Sequence, residues 1–273
     1  MDSEKGVPPR VQTAAGEPEA SSGHGSASRS WPTGLALLLL SAICVAVVDQ
    51  PCSGFLHSHP LEGEITNLFE AVEHFGTPYG AVLILVTIWI NIPTLRSRVA
   101  RTMAAAISAG LAADIVKLCV TRTRPKAFDF HQSIWSSFTG VFEWGAGGSK
   151  HQGFPSAHTA FAIAFAVMLG ELFPKSRRWF LCLGALVALQ RITTSAHFPS
   201  DVLAGAAVGW MVARCFIGTA PMGRLYDRLE RHYFPRGGVP IGALGAHSAT
   251  RLASLSPELN LIRGATSEPV AQH

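Results

Sequence analysis

Six apolar runs limit what this chain can fold into: residues 31–48, 79–94, 102–120, 157–173, 179–195 and 200–217. Each approaches the roughly 20 residues a helix needs to cross ~30 Å of hydrocarbon. Composition points the same way. The chain is 48% hydrophobic and 15% charged, whereas soluble domains carry about 25% charged residues. The expectation is an all-α polytopic membrane protein, a six-transmembrane-helix bundle.

The flanks read differently. Residues 1–30 are rich in Ser, Gly, Pro, Ala and Glu and bury too little apolar surface to offset ordering, so a disordered tail is expected. The run from Trp31 has a long hydrophilic leader, and no small-x-small cleavage site follows "CVAVVDQP". It reads as a retained first span rather than a signal peptide. Residues 31–217 then form the membrane domain. In "GRLYDRLERHYF", Leu225, Leu229 and Tyr233 fall near one helical face and Arg224, Arg228 and Arg231 away from it. Residues 218–236 are therefore expected as a juxtamembrane amphipathic segment, and 237–273 as a second disordered tail.

Basic residues set the orientation. With alternating loops, most Lys and Arg, including Arg96, Arg98, Arg101, Lys175, Arg177 and Arg178, fall on the side of the two tails, and the first outer loop, about 50–78, has none. Both termini are expected in the cytoplasm, with a bacterial inner membrane suggested by Ala/Gly-rich composition and compact loops. The net charge of +4 comes without a dense basic run interleaved with aromatics, so nucleic acid is not the expected partner. Five scattered cysteines make neither a disulfide framework nor a zinc site.

The exceptions to the charge rule gather in one neighbourhood. In "KLCVTRTRPK", Lys117, Arg122, Arg124 and Lys126 follow the third run with no carboxylate among them. Pro125 suggests that the helix ends near Arg124. "PSAH" opens the fourth run, where Ser156, Ala157 and His158 sit at a helix N-terminus, a ready anion site. "QRITTSAHFPSD" joins runs five and six. There Arg191 offers a guanidinium fork, and His197 precedes Asp201 by four residues, so that the carboxylate can accept the second imidazole N–H. With alternating spans, all three clusters reach the outer surface. Three cations, helix N–H groups and two histidines describe a phosphate cradle. A carboxylate cluster for Mg²⁺ is missing from the neighbourhood.

Together, "KLCVTRTRP", "PSAH" and "QRITTSAHFPSD" resemble the three motifs of the type 2 phosphatidic acid phosphatase and vanadium haloperoxidase superfamily: K-x6-R-P, P-S-G-H and S-R-x5-H-x3-D. The resemblance covers about 31–217 and makes this the expected phosphatase domain. It implies that Lys117, Arg124, Ser156, Ala157 and Arg191 bind the phosphoryl group. It further implies that His197, oriented by Asp201, becomes a phosphohistidine, and that His158 protonates the leaving oxygen and later activates water. No metal or other cofactor is implied. The expected partners are the bilayer and a lipid phosphate: phosphatidic acid, phosphatidylglycerophosphate, a prenyl diphosphate or a lipid A type. A lipid phosphotransferase, a vanadate-dependent haloperoxidase and a non-catalytic lipid-binding or transport protein are the alternatives. Oligomeric state is not legible.

Two positions depart from the family pattern: Ala157 replaces Gly, and Gln190 replaces Ser. A positive φ at 157 would make Ala costly, and an ordinary helical turn would make it harmless. Around the core motifs, Arg122 and Lys126 read equally as headgroup anchors. Asp114 reads as an i,i+3 partner of Lys117. The "HSHPLEGE" stretch, with His57, His59, Glu62 and Glu64, is a weaker metal-binding possibility. Asp129, Trp135, Trp144 and Lys150 are expected in a loop that caps the site.

Overall fold

Proline fixes where several helices begin. Pro78, Pro199 and Pro221 each occupy a first helical position, where the missing N–H costs nothing and φ is already set. In the computed structural model, residues 31–142 and 148–234 are described; the expected tails at 1–30 and 237–273, and Trp144, lie outside them. The helices are α1 (Trp31–Val47), α2 (Asp49–Ser58), α3 (Glu64–Glu73), α4 (Pro78–Asn91), α5 (Arg96–Cys119), α6 (Ala157–Leu172), α7 (Arg177–Thr193), α8 (Pro199–Cys215) and α9 (Pro221–Tyr233).

Helix α6 is the hub. Nearly every residue from Thr159 to Leu172 is buried, packed by α5, α7 and α8. Small residues permit this. A Cβ added at Gly205 would collide with the Ser156 carbonyl, and one at Gly209 with the Ala160 carbonyl, so α8 meets α6 backbone to backbone, as small-xxx-small pairs allow. Gly205→Ala is expected to cost about 1–3 kcal/mol through overpacking and to lower the unfolding temperature in detergent. An unchanged temperature would show that the contact is slack.

The outward surfaces are apolar. Leu39, Val47, Leu83 and Ile90 are more than half exposed on α1 and α4, as lipid-facing side chains would be. By length and composition, Pro93–Cys119 (27 residues) suffices alone to cross a membrane. The pairs Trp31–Val47 with Asp49–Ser58, and Glu64–Gly76 with Pro78–Asn91, pass only as helices bent by 64° and 71°, giving up to three spans among the described residues. Helix α6 is apolar but has 16 residues.

Three expectations need correction. Helix α5 ends at Cys119, short of Arg124, because the β-branched Val120 and Thr121 enter a strand. This strand, β1 (Val120–Arg122), pairs antiparallel with β2 (Phe138–Val141). Residues 50–78 are largely helical, in α2 and α3, rather than a plain loop. Arg98 and Arg101, counted as loop charges, are buried clamps. Arg101 donates to Phe216 O (2.7 Å), Asp227 Oδ1 (2.8 Å) and Gly223 O (3.0 Å), while Arg98 pairs with Glu230 at 2.8 Å. They hold one edge of α9 against the bundle, leaving Leu225, Leu229 and Tyr233 exposed on the other. Burial pushes the Glu230 carboxyl above its usual range, with the two arginines opposing that rise.

Candidate active site

The three motif clusters meet at one end of the bundle. Lys117 closes α5, Ser156 caps α6, and His197 lies in the turn between α7 and α8. His158 lies within electrostatic reach of Lys117, Arg191 and His197, His197 of Lys117 and Arg124, and Arg124 of Arg191. The Lys117 ammonium pairs with Asp114 at 2.9 Å, the expected i,i+3 contact.

His197 is 2% exposed, and Nδ1 lies 2.6 Å from the Gly153 carbonyl oxygen. A carbonyl only accepts, so Nδ1 carries the proton and donates it, leaving the Nε2 lone pair available. The expected hydrogen bond from Nδ1 to Asp201 is not made, because the separation is 3.7 Å. Asp201 is occupied elsewhere: Oδ2 accepts from Phe198 N at 2.8 Å, and Oδ1 from Arg122 Nη1. Burial pushes His197 below its ordinary pKa. The Asp201 charge opposes this shift, while Arg124 and Lys117 reinforce it.

Arg122, expected as a possible headgroup anchor, is fully buried. Its Nη2 bonds Asp49 Oδ2 at 2.7 Å, Nη1 bonds Ser200 Oγ at 2.7 Å, and Nε bonds Ser137 Oγ at 3.1 Å. Phe138 and Phe198 cover its two faces at 4.4 and 4.3 Å. A fully desolvated guanidinium needs such partners. The network joins α2, β1 and α8 and, through Asp201, comes within 3.7 Å of His197 Nδ1. Lys126 is exposed, as an anchor would be.

Arg124 is different. Its backbone N–H bonds Lys150 O at 2.9 Å and Nη2 makes a long contact to Gln152 O, but the buried Nε has no partner. Burial and the neighbouring Arg191 push its pKa down, with Asp201 opposing. An unpartnered buried donor is expensive unless a ligand completes it.

Ser156 is fully buried. Its N–H donates to Asp201 O, and its hydroxyl accepts from Thr159 N and Thr159 Oγ1. It acts as a helix cap, leaving the N–H groups of Ala157 and His158 without an intrahelical acceptor. Ala157 is the first helical residue and has no positive φ, so the departure from Gly carries no strain. Gln190 is 1% exposed; its Oε1 accepts from Arg191 Nε at 2.6 Å and its Nε2 donates to Glu73 Oε2 at 2.8 Å.

Glu73 was not singled out by the motifs. Its Oε1 lies 2.7 Å from Arg191 Nη2 and 3.9 Å from His158 Nε2. A groove of about 210 Å³ reaches His158, lined by Gly76, Pro78, Ile107, Gly110, Leu111, Asp114, Ala157 and Phe161. A larger cavity of about 400 Å³ lies behind the α7–α8 turn, lined by residues such as Leu56, His57, Phe69 and Ser195. Thr193, Thr194 and Ser195 of the third motif stretch line it, but none of the candidate phosphate-binding or catalytic residues does. His57 packs on Phe130 and His59 on Phe55; among the described residues, no group of three His, Cys, Asp or Glu gathers to hold a metal. In the loop before α6, Asp129 folds back on His131, whose N–H holds its carboxyl below the usual range. Trp135 stacks on Phe138.

The PAP2 superfamily model matches residues 98–222. A lipid A 1-phosphatase from Rhizobium etli is 33% identical over 121 residues, 44% of this chain and 50% of that protein. A protein named bacitracin transport permease BcrC, from Bacillus licheniformis, is 37% identical over 92 residues, covering 30% of this chain and 44% of that one. The chain spans about half the length of the curated relatives it matches first. A crystal structure of a transmembrane PAP2 type phosphatidylglycerolphosphate phosphatase from Bacillus subtilis superposes with a TM-score of 0.44 at 16% identity, covering 73% of this chain and 96% of that one. The matched segment contains Lys117, Arg124, Ser156, His158, Arg191, His197 and Asp201, so that residues 98–222 carry the PAP2 superfamily pattern.

Proposed function

We propose that the protein is an integral membrane lipid phosphate phosphatase, working through a phosphohistidine on His197 without a metal. The observation that carries this reading is the buried, unpartnered Nε of Arg124, within electrostatic reach of a buried His197 whose Nδ1 is already bonded. The donor lacks an anion, and the imidazole has a free lone pair on Nε2.

The steps follow from these atoms. Arg124, Arg191, Lys117 and the open N–H groups of Ala157 and His158 hold the phosphoryl oxygens. His197 Nε2 attacks phosphorus, forming a P–N bond as the P–O bond to the lipid breaks. The His158 imidazolium gives its proton to the departing oxygen. Water then attacks phosphorus, His158 takes the water's proton, and the P–N bond breaks to restore His197. A depressed His197 pKa keeps the imidazole neutral, the form with a lone pair to share.

The substrates would be amphiphilic phosphates whose chains lie in the groove beside His158. The lipid A 1-phosphatase name of the relatives puts a lipid A type substrate alongside phosphatidic acid, phosphatidylglycerophosphate and prenyl diphosphates. Six crossings remain the reading for this fold, with α6, α7 and α8 completing the bundle. It sets the termini in the cytoplasm and the site toward the periplasm, with the loop before α6 capping the site and selecting substrates. The test is phosphate release from these four lipids by purified protein in detergent with EDTA. Release from at least one, undiminished by chelation, is expected. Release that EDTA abolishes would overturn the metal-free reading, and no release from folded protein would overturn the phosphatase.

A further inference from the structure

Gln190 and Glu73, which the mechanism above does not use, form a part-buried polar ring with Arg191. Arg191 Nε is held by Gln190 Oε1 and Nη2 by Glu73 Oε1, while Gln190 Nε2 bonds the other Glu73 oxygen. The guanidinium is thus locked along one edge. The remaining amino group, Nη1, has no hydrogen bond among the described residues and is left for the phosphoryl group.

The same Glu73 oxygen faces His158 Nε2 at 3.9 Å. That distance is too long for a hydrogen bond but well within Coulomb range. His158 must carry a positive charge to serve as the acid, yet the nearby charged side chains include Arg191 and Lys117. A carboxylate beside the ring offsets these cations and stabilises the imidazolium. Glu73 is also well anchored. It ends α3, Phe75 two residues on is buried against Phe165, and a Cβ at Gly76 would meet Val187 Cγ1 at 2.7 Å and the His158 carbonyl at 3.2 Å. The segment therefore packs directly against α6 and α7.

We infer that Glu73 is a positioning residue for the leaving-group step: it stabilises the charged, proton-donating form of His158. This rests on the phosphatase reading. Its signature is dependence on the leaving group. A lipid alkoxide cannot depart without a proton, whereas p-nitrophenolate can, so in the step that forms the phosphohistidine, loss of the acid's partner should matter only for the lipid.

The test compares wild type with Glu73→Gln, which removes the charge at nearly constant volume, on p-nitrophenyl phosphate and on the best lipid substrate. The expected result, read in the first turnover so that the shared hydrolysis of the intermediate does not enter, is a roughly 100-fold fall in the rate at which the lipid leaving group departs, within the range for general acid catalysis, with first-turnover release of p-nitrophenolate nearly unchanged. Glu73→Asp should recover part of the lipid activity. Equal losses on both substrates, or none on either, would overturn the inference. An unfolding temperature matching wild type identifies a folded variant; if Glu73→Gln does not fold, the same comparison is read from Glu73→Asp, with the same differential loss expected at smaller amplitude. Failure of the phosphatase reading would show separately, as no release by wild type from either substrate, and the inference would fall with it.

Discussion

Arg122→Ala is expected to leave little or no folded protein. The arginine bridges Asp49 and Asp201, both fully buried, and its removal strands two carboxylates in a site closed by Phe138 and Phe198. Breaking a buried pair costs about 3–5 kcal/mol, a large part of the roughly 5–15 kcal/mol that holds a typical domain together. Arg122→Lys keeps the charge but cannot reach Asp49, Asp201, Ser200 and Ser137 at once. It should fold with a lowered unfolding temperature and impaired turnover, because Asp201 also holds the Phe198 N–H next to His197. The measurement is folded yield and thermal unfolding in detergent. Wild-type stability for Arg122→Ala would contradict the network's role.

The second large effect is on chemistry alone. His197→Asn should lower phosphate release by about 10⁴-fold or more, the scale seen when a catalytic nucleophile is lost, on aryl and lipid phosphates alike. The Asn amide can still donate to the Gly153 carbonyl, so most of the local hydrogen bonding survives and the unfolding temperature should stay close to wild type. His197→Ala leaves that carbonyl unpartnered and costs about 1–3 kcal/mol in addition. Loss of activity with the Asn variant folded separates nucleophile from scaffold. Retained activity would remove His197 from the mechanism.

The bounds of α6, α7 and α8 were legible within a few residues because apolar runs mark them, with Pro199 in the first turn of α8. The motif residues were legible too, since their spacing is a local property of the chain. What escaped lies far apart in sequence or in the backbone. Asp49 and Arg122 are 73 residues apart, and Glu73 and Gln190 117 apart; no pattern in one sequence links them. The His197 acceptor is the carbonyl of Gly153, which any residue could supply. Asp201 stands beside His197 as expected, but at 3.7 Å rather than in a hydrogen bond, because a carboxylate four residues on from His197 is also the third residue of α8, where it caps the helix. Arg122 read as an anchor because charge at the end of an apolar run usually snorkels; only the packed fold shows two aromatic faces and two carboxylates closing over it. The extra helices α2 and α3 were missed because their apolar faces are short and interrupted by polar residues.

The most direct test of the central claim is capture of the covalent intermediate. In His158→Ala, an aryl phosphate with a good leaving group should still phosphorylate His197, while hydrolysis of the intermediate slows for want of a base. Mixing labelled p-nitrophenyl phosphate with this variant, quenching in alkali (where phosphohistidine survives) and mapping the label should place it on His197, with none in the double variant carrying His197→Asn. Label on another side chain, or undiminished label in the double variant, would contradict the account.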